Sequence, residues 1–233
     1  GVLMFHGYTA TTVDVRPLAE RLRERGATVA APLLPGHGTH PSDLNRVRWH
    51  SWLNAAETEY ARISAECERV FVAGVSMGGV LALNLATRHQ EIAGIITFAP
   101  AIRLALSPWQ QLQLKLAAPF IMQVGRKSLD CAESWQGYPG LPLKGALQLL
   151  AMQRNTVARL PLILQPLLVF QGRLDTTVHP ATGDIILNAV TSVDKHRIWL
   201  ENSSHAVLLD KDLNDVVERT LEFMNRCVPG FAG

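Results

Sequence analysis

The sequence predicts an open, mostly parallel α/β sheet with helices on both faces. Three observations lead to this fold class: the composition, the alternation of two hydrophobic periodicities, and the continuous apolar character of the shorter segments. The chain has 233 residues, of which 48% are hydrophobic and 18% charged, as is typical of a globular domain. A chain of this length buries roughly 70% of its unfolded surface, so it can build a core without disulfides or a structural metal.

Short β-branched segments bounded by glycine and proline alternate with longer segments of 3.6-residue periodicity. The short segments predict six strands: Val2–Phe5, Thr28–Ala31, Val70–Ala73, Ile92–Phe98, Leu167–Gln171 and Ile198–Glu201. The periodic segments predict helices whose apolar stripes pack on the core: Val13–Arg25, Val47–Ala65, Met77–His89, Pro180–Ala189 and Asp212–Arg226. Strands joined by helical crossovers are parallel and buried on both faces, so the fold class is a doubly wound sheet.

Residues from about Ile102 to Pro161 interrupt this alternation, because they contain helical pattern but no convincing strand. Leu104–Met122 and Leu143–Leu160 are the two helix candidates, separated by a Gly- and Pro-rich stretch at 137–142. We predict one domain over residues 1–233, with this segment inserted as a helical cap. The alternative is a pair of surface helices with no ligand role.

Charge and hydropathy make several classes of partner poor candidates. The chain has 22 Lys and Arg against 20 Asp and Glu, with no basic stripe that could follow nucleic-acid phosphates. The most apolar stretches, 93–106 and 157–170, are interrupted by arginine and proline, so we expect no stable membrane insertion. The expected partner is a small-molecule substrate, and the expected assembly is a monomer or a homodimer.

The cysteines favour a reducing compartment. Cys67, Cys131 and Cys227 are an odd number in a chain long enough not to need cross-links. We therefore expect a cytoplasmic protein. Because the sequence opens directly on a predicted strand and has no initiator methionine, a missing upstream segment would leave secretion open.

The turn after the third predicted strand contains a candidate nucleophile. Gly74-Val75-Ser76-Met77-Gly78-Gly79 is a G-x-S-x-G pattern between a strand and a helix. Such an elbow strains the serine backbone and needs glycine where side chains would collide. Ser76 is the predicted nucleophile, and the alternative is a serine that only caps the following helix.

A serine nucleophile needs a base and a third group that orients the base. Sites in parallel sheets lie beyond the carboxyl ends of the strands, which restricts the candidates to residues that follow a strand. His205 follows the sixth predicted strand and Asp175 follows the fifth, whereas His196 precedes the sixth, about 20 Å away at the other edge. We predict that His205 and Asp175 complete a triad. The alternatives are a turn aspartate and a loop histidine without a role.

The backbone amides of Tyr8 and Met77 are the predicted donors to a developing oxyanion. Gly7 lets the backbone turn inward after the first strand, and Met77 follows the nucleophile. Two such donors together supply several kcal/mol at the transition state. Four other histidines are interpreted as structural residues of loops: His6, His37, His40 and His179. Two tryptophans are interpreted as core residues: Trp49 and Trp52.

Taken in order, the motifs resemble the α/β-hydrolase superfamily, most closely its bacterial carboxylesterase and monoacylglycerol lipase branch with a small helical cap. The resemblance spans nearly the whole chain and is carried by HGYTAT at 6–11, PLLPGHGTHP at 32–41, GVSMGG at 74–79, FAPA at 98–101, QGRLDTTVHP at 171–180 and ENSSH at 201–205. Ser76, Asp175 and His205 match the family's nucleophile, orienting acid and base, in the chain order of that superfamily. One departure is Gly36-His37-Gly38-Thr39-His40, where related monoglyceride lipases often have G-H-G-x-S.

The leading hypothesis is a serine carboxylesterase that cleaves short- to medium-chain esters through an acyl-enzyme, with no cofactor and no metal. The expected hydrophobic acyl channel is formed by apolar residues of the cap: Trp109, Leu112, Leu116, Phe120 and Met122. Alternatives that share the fold are a monoacylglycerol lipase, carbon–carbon bond hydrolases and perhydrolases, and a ligand receptor without turnover.

Overall fold

The computed structural model describes residues 1–125 and 135–231. Its strands are β1 (Val2–Phe5), β2 (Val29–Ala30), β3 (Phe71–Val75), β4 (Gly94–Phe98), β5 (Gln123–Gly125), β6 (Gly140–Pro142), β7 (Leu167–Gly172) and β8 (Lys195–Leu200). Its α-helices are α1 (Arg16–Glu24), α2 (Pro41–Leu44), α3 (Trp49–Glu66), α4 (Met77–Ala86), α5 (Pro108–Ala117), α6 (Leu143–Arg159), α7 (Thr182–Ala189) and α8 (Leu213–Cys227). Single 3₁₀ turns lie at Thr12–Asp14, Leu160–Leu162 and Val207–Leu209.

Six strands form one parallel sheet in the order β2-β1-β3-β4-β7-β8, which confirms the predicted fold class. The chain runs outward from β1 to β2 and then returns to place β3 on the other side of β1. This reversal of strand order opens a crevice at the carboxyl ends of β1 and β3. Phe5 pairs with Gly74 at that end, so the loops after these two strands lie next to each other.

The sheet is buried on both faces. Strands β1, β3, β4 and β7 are buried along their whole length, and successive residues enter different hydrophobic clusters. Leu3 and Phe5 join a cluster with α3, α4 and α6, whereas Val2 and Met4 join one with α1 and α8. This division follows from the two-residue period of a strand, and it explains the continuous apolar sequence of these segments.

The edge strand β8 begins earlier than predicted. It starts at Lys195 rather than Ile198, and most of its residues are only half-buried. Because an edge strand exposes part of its surface, polar residues such as His196 and Arg197 fit there, and an apolar pattern could not locate its start. His196 therefore lies within the strand, and it pairs with Leu168 near the amino-terminal end of β7.

Between β4 and β7 lies the cap segment, by which we mean residues 102–125 and 135–161. The expectation of no strand there is wrong, since β5 and β6 form a two-stranded antiparallel sheet. Both strands have three residues, too few for a periodicity to show. Isolated bridges join Ala10 to Gly137 and Leu104 to Val178. Since Ala10 and Val178 follow β1 and β7, these bridges attach the cap segment at the carboxyl edge of the sheet.

The second predicted cap helix agrees with α6, but the first is shorter than predicted. The predicted range was Leu104–Met122, whereas α5 spans Pro108–Ala117. The helix starts late because Ser107 and Gln110 form a capping box at its amino-terminal end. Cys131 lies outside the described residues, and the thiols of Cys67 and Cys227 are free. In the described ranges, none of the helices combines the length and the apolar character needed to cross a membrane.

Candidate active site

Ser76 lies at the sharp turn between β3 and α4. Its backbone has φ 52° and ψ −111°, a conformation that costs a non-glycine residue about 1–3 kcal/mol. Two glycines make the turn possible. A Cβ at Gly74 would lie 2.2 Å from the carbonyl carbon of Gly78, and a Cβ at Gly78 would lie 2.1 Å from the carbonyl oxygen of Phe5. These approaches are far inside van der Waals contact, so the elbow requires glycine at both positions.

The predicted triad residues meet at the carboxyl edge of the sheet. Nε2 of His205 lies 3.0 Å from Oγ of Ser76, and Nδ1 of His205 lies 2.9 Å from Oδ2 of Asp175. All three side chains are buried. The structure thus joins residues 76, 175 and 205 in one hydrogen-bonded chain.

The surroundings of Asp175 keep its carboxylate ionised. Its Oδ1 accepts hydrogen bonds from the amides of Thr177 at 2.7 Å and Val178 at 3.0 Å. Burial alone would raise the pKa of Asp175, but the facing ring of His205 and these hydrogen bonds outweigh burial and hold the pKa below its usual value. An ionised carboxylate can only accept, so Nδ1 of His205 carries the proton. Nε2 is then the acceptor that faces the hydroxyl of Ser76.

Two carboxylates hold the loop that carries His205. Asp212 accepts hydrogen bonds from the amide of Asn202 and the hydroxyl of Ser203, both at 2.9 Å. Asp210 accepts from the amide of Ser204 at 2.7 Å. Sequence reasoning missed both residues, because an aspartate that precedes a helix normally caps it. Asp212 lies at the amino-terminal cap position of α8 but makes no cap hydrogen bond with its side chain, since its carboxylate is turned toward the histidine loop.

Gly172 allows the same loop to approach the sheet. A Cβ at Gly172 would lie 2.3 Å from the carbonyl oxygen of Ser203 and 2.4 Å from that of Ser204. Any other residue at this position would push the backbone before His205 outward. The glycine of the segment QGRLD therefore positions the loop before His205 as well as ending β7.

The loop after β1 is held from two sides. The amide of Gly7 donates to Oδ2 of Asp14 at 2.8 Å, a contact that sequence reasoning did not identify. His6 accepts from the amide of Leu34 at 3.1 Å through Nε2, and its Nδ1 lies 2.9 Å from the carbonyl oxygen of Gly7. Burial lowers the pKa of His6 to about 4. These bonds fit the structural role predicted for His6, which joins the β1 loop to the loop after β2.

Tyr8 and Met77 carry the two amides predicted to be oxyanion donors. Met77 is the first residue of α4, so its amide has no partner within the helix. Tyr8 follows Gly7 and lines the space around Ser76. Its phenol donates to the carbonyl oxygen of Pro142 in the cap segment, which connects the candidate oxyanion loop to the cap.

The other histidines that were interpreted as structural have local partners. His37 is buried, with Nδ1 3.2 Å from the carbonyl oxygen of Pro35, and burial lowers its pKa to about 3. Nδ1 of His40 accepts from the amide of Ser42 at the start of α2. Nδ1 of His179 accepts from the amide of the second residue after it at 3.1 Å. None of these rings is placed against Ser76.

A cavity of about 570 Å³ extends from Ser76 and His205 beneath the cap segment. The remaining lining residues are mostly apolar: Tyr8, Leu104, Ala105, Leu106, Gln110, Leu114, Val124, Gly125, Leu141, Leu143, Ala146, Leu149, Leu150, Thr176 and Thr177. This volume is in the range of small-molecule sites. The cap segment therefore supplies an apolar cavity next to Ser76.

The residues expected to form the channel are the wrong ones. Five side chains lie at the surface instead, each more than two-fifths exposed: Trp109, Leu112, Leu116, Phe120 and Met122. The inner side of α5 presents Gln110 and Leu114, and much of the wall comes from α6. An apolar stripe on a helix does not by itself reveal which side faces the protein, and here it faces solvent. Trp49 and Trp52, in contrast, are buried in the core as predicted.

Comparison with known proteins places the chain among the α/β hydrolases. A family model described as serine aminopeptidase, S33, matches residues 1–136. A thermostable monoacylglycerol lipase of Bacillus sp. (strain H-257) is 36% identical over 96% of this chain and 89% of its own length. A carboxylesterase of Bacillus subtilis (strain 168) is 32% identical over 97% of this chain and 92% of its own length.

A solved structure from work on the metagenome-derived lipolytic enzymes LipS and LipT superimposes with a TM-score of 0.90 at 31% identity. The match covers 97% of this chain and 93% of that one. The family model covers more than half of the chain and includes Ser76, and the full-length relatives extend over Asp175 and His205. The chain therefore has the α/β-hydrolase fold and belongs to the S33 serine aminopeptidase family of α/β hydrolases.

Proposed function

We propose that this protein is a serine carboxylesterase that hydrolyses short- to medium-chain carboxylic esters through an acyl-enzyme. The observation that carries the proposal is the continuous hydrogen-bonded chain from Ser76 through His205 to Asp175. Named relatives that are at least 30% identical along almost the whole chain include a monoacylglycerol lipase and a carboxylesterase. Both names support hydrolysis of an ester.

In the acylation step, Oγ of Ser76 attacks the ester carbonyl while Nε2 of His205 accepts the hydroxyl proton. The carbonyl oxygen becomes an oxyanion between the amides of Tyr8 and Met77. The tetrahedral intermediate then collapses, the bond to the alcohol oxygen breaks, and His205 returns the proton to the leaving alcohol. Asp175 holds the imidazole in the required tautomer and stabilises its cationic form.

In the deacylation step, a water molecule takes the place of the alcohol. His205 accepts a proton from this water, and the water oxygen attacks the acyl carbonyl. As the bond between the acyl carbon and Oγ of Ser76 breaks, His205 returns the proton to Oγ and the carboxylic acid leaves. Every proton in this cycle moves between Ser76, His205, the leaving alcohol and water. These residues therefore account for the whole reaction without a redox step.

The cavity favours an acyl group over a charged substrate. Among its lining residues in the described part of the chain there is no aspartate or glutamate. An aminopeptidase, as the family description reads, must receive a cationic amine, and burying that charge without an anionic partner is costly. An aliphatic acyl chain meets leucine and alanine side chains there and buries apolar surface at about 25 cal/mol per Å².

The catalytic proposal is tested by replacing Ser76 with alanine. We expect Ser76→Ala to lower turnover of p-nitrophenyl butyrate by at least about 10⁴-fold, since the nucleophile is lost, with an unchanged circular dichroism spectrum. Ser64→Ala, at an exposed position of α3, is the matched control and should keep full activity. Retained turnover in a folded Ser76→Ala protein would remove Ser76 from the reaction.

A monoacylglycerol lipase is the second candidate, and the first of the named relatives above favours it. Turnover of p-nitrophenyl esters with two to sixteen acyl carbons, measured beside monoacylglycerols, separates the two. A maximum at short or medium chains supports the carboxylesterase. A maximum at long chains, together with faster cleavage of monoacylglycerols, favours the lipase. A receptor without turnover would leave Ser76 unmodified by a fluorophosphonate probe.

A further inference from the structure

A second, smaller cavity lies beside Ser76 and His205. Its volume is about 20 Å³, and we use the name small cavity for it. Tyr8, Ser76 and His205 line both this space and the apolar cavity of about 570 Å³ beneath the cap segment, so the two cavities meet at these residues. A single water molecule needs roughly 10–15 Å³. The small cavity therefore has room for about one water.

The small cavity differs from the apolar cavity in having a carboxylate in its wall. Asp14 is 4% exposed and lines the small cavity together with Ser76 and His205. In the described part of the chain, the apolar cavity has no aspartate or glutamate among its lining residues. A buried carboxylate is costly unless hydrogen bonds satisfy it, so the contacts of Asp14 indicate what its charge does.

The carboxylate of Asp14 is held next to Ser76. The amide of Asp14 donates to the carbonyl oxygen of Thr11 at 3.1 Å, which closes the 3₁₀ turn that carries it. Its Oδ2 accepts from the amide of Gly7 at 2.8 Å. A Cβ built at Gly7 would lie 3.0 Å from Oδ2 of Asp14 and 3.6 Å from Cβ of Ser76. On this side, little more than the α-carbon of Gly7 separates the carboxylate from the serine.

The bond to Gly7 does not exhaust the carboxylate. Two carboxylate oxygens together offer about four acceptor positions, more than one amide uses. A buried water makes about two to four hydrogen bonds, and the small cavity offers it the polar side chains of Ser76, His205 and Asp14. Three such groups are enough to fix both the position and the orientation of one water molecule.

The two cavities suit different parts of an acyl-enzyme. An aliphatic acyl chain on Ser76 buries apolar surface in the cavity beneath the cap segment, which is lined by several leucine side chains. With that cavity filled, the small cavity still adjoins Ser76 and His205, and it is far below the size of an ordinary small-molecule site. Water fits this space in size and in polarity. Deacylation is the step of the reaction that consumes a water.

We propose that Asp14 is a catalytic residue of deacylation, because it binds the hydrolytic water in the small cavity. The proposal rests on the acyl-enzyme route described above. One hydrogen of the water is donated to the carboxylate of Asp14, and the other faces Nε2 of His205. The carboxylate thereby orients the water oxygen toward the acyl carbon and polarises it.

The proton balance of the step assigns Asp14 no proton. As the water oxygen bonds to the acyl carbon, His205 accepts one hydrogen of the water as a proton, and the electron pair of the carbonyl bond moves onto the carbonyl oxygen. The other hydrogen stays on the attacking oxygen and becomes the hydroxyl of the carboxylic acid. Collapse then breaks the bond to Oγ of Ser76, which takes the proton back from His205.

A purely structural role of Asp14 has a different consequence. By holding the amide of Gly7, Asp14 also supports the loop whose next amide, that of Tyr8, is a predicted oxyanion donor. Acylation and deacylation both pass through an oxyanion, so a loss of loop geometry slows both steps alike. Loss of a bound water slows deacylation alone. Kinetics that resolve the two steps therefore separate the two roles.

Rapid mixing with p-nitrophenyl butyrate resolves them. The initial burst of nitrophenol gives the acylation rate, and the steady phase after it gives the deacylation rate. Asp14→Asn keeps the size of the side chain, and its amide oxygen can still accept from Gly7. We expect the steady phase to slow by at least about tenfold and the burst to change by less than about threefold. Asp184→Asn, at an exposed position of α7, is the matched control and should change neither.

Mass spectrometry of the quenched protein adds a direct readout of the same change. Slower deacylation should make the butyryl-enzyme accumulate in Asp14→Asn during steady turnover. Asp14→Ala, which also removes the bond to Gly7, should slow both phases. Circular dichroism checks that both variants are folded, and a fluorophosphonate should label Asp14→Asn at close to the wild-type rate, since labelling of Ser76 consumes no water.

Competition between two nucleophiles gives a readout that does not depend on absolute rates. Hydroxylamine intercepts the acyl-enzyme and yields butyrohydroxamic acid and free Ser76, whereas water yields butyric acid. Hydroxylamine is the stronger nucleophile and depends less on Asp14. At a fixed hydroxylamine concentration, we expect the ratio of hydroxamate to acid to rise at least about fivefold in Asp14→Asn. The ratio is the same whatever fraction of the variant is folded, so a loss of stability does not obscure it.

Three results would overturn the proposal. Equal slowing of both phases in Asp14→Asn, with an unchanged hydroxamate ratio, would reduce Asp14 to a support of the oxyanion loop. An unchanged steady phase in folded Asp14→Asn protein would exclude it from the reaction. Wild-type protein that forms no butyryl-enzyme and takes no fluorophosphonate label would instead remove the proposed function itself, and that outcome is distinct from the first two.

Discussion

The carboxyl edge of the sheet and the cap segment enclose the same cavity, but they are held in different ways. At the sheet edge, backbone atoms approach so closely that only glycine fits, as at Gly78 against Phe5. The cap segment is attached by individual contacts, such as the side chain of Asn45, which bonds the carbonyl oxygen of Met122 and the amide of Gly145. We infer that the rigid edge determines the chemistry and that the cap segment determines which acyl groups enter.

The largest effect should come from the sheet edge. Asp175→Asn preserves the size of the side chain but lets it donate to Nδ1 of His205, which favours the wrong imidazole tautomer. We expect kcat for p-nitrophenyl butyrate to fall by about 10⁴-fold with little change in KM. Steady-state kinetics measure this, and Asp184→Asn, on an exposed aspartate of α7, is the control. A loss below tenfold would mean that Asp175 does not orient the base.

A pair of glycine substitutions compares the two regions directly. Gly78→Ala should destabilise the fold by more than about 3 kcal/mol, because its Cβ would collide with backbone that cannot move aside. Gly125→Ala, in β5 of the cap segment, should stay within about 0.5 kcal/mol, since none of the residues that the structure describes lies within 4 Å of its Cβ position. Urea unfolding measures both changes. Similar losses at the two positions would contradict the difference in rigidity.

A bulky residue in the cap segment should change selectivity without changing the chemistry. Ala146→Phe fills part of the cavity wall, so we expect kcat/KM for a dodecanoate ester to fall about 10- to 100-fold relative to acetate. Ala158→Phe adds the same bulk at an exposed position of the same helix and should leave the ratio unchanged. An equal loss on both esters with Ala146→Phe would show that the substitution disturbs the reacting groups instead of the acyl site.

The last prediction concerns the free energy of unfolding on the acid side of the pH range, where the change per pH unit is small. Burial lowers the pKa of His6 to about 4 in the folded protein, against about 6.5 when unfolded. Between these values the unfolded chain binds more protons, so the stability due to neutral His6 is complete above about pH 6.5 and is lost as the pH falls toward 4. His6 should contribute up to about 1.4 kcal/mol per pH unit.

Urea unfolding of the wild type and of His6→Asn at several pH values isolates this contribution. The free energy of unfolding should fall less steeply with acidification in the variant, although buried His37 still contributes in both proteins. Parallel pH dependence of the two proteins would show that His6 is not the group that titrates.

The sheet edge was predictable from the sequence because each of its features leaves a local signal. Parallel strands are apolar throughout, the elbow needs Gly74 and Gly78, and a residue that follows a strand must lie at the carboxyl edge. These rules were enough to select Ser76, Asp175 and His205 from many serines, aspartates and histidines. They also separated His205 from His196, which the structure places in the amino-terminal part of β8.

The cap segment and the supports of the triad were not predictable by the same rules. The outward direction of Trp109 and Leu116 depends on which side of α5 meets the cavity, and periodicity does not specify this. Strands β5 and β6 are too short to show a pattern. Asp212 precedes a helix, as many aspartates do, and only the fold shows that its carboxylate holds the loop before His205. Such roles depend on contacts between distant segments.

The most direct test of the central claim is covalent labelling with a fluorophosphonate, followed by mass spectrometry of the peptides. The probe reacts with a serine only when a neighbouring base activates it. We expect a single adduct at Ser76 in the wild type and labelling slower by orders of magnitude in His205→Ala. Folded protein without an adduct, an adduct on another residue, or equally fast labelling of the His205→Ala protein would contradict the account.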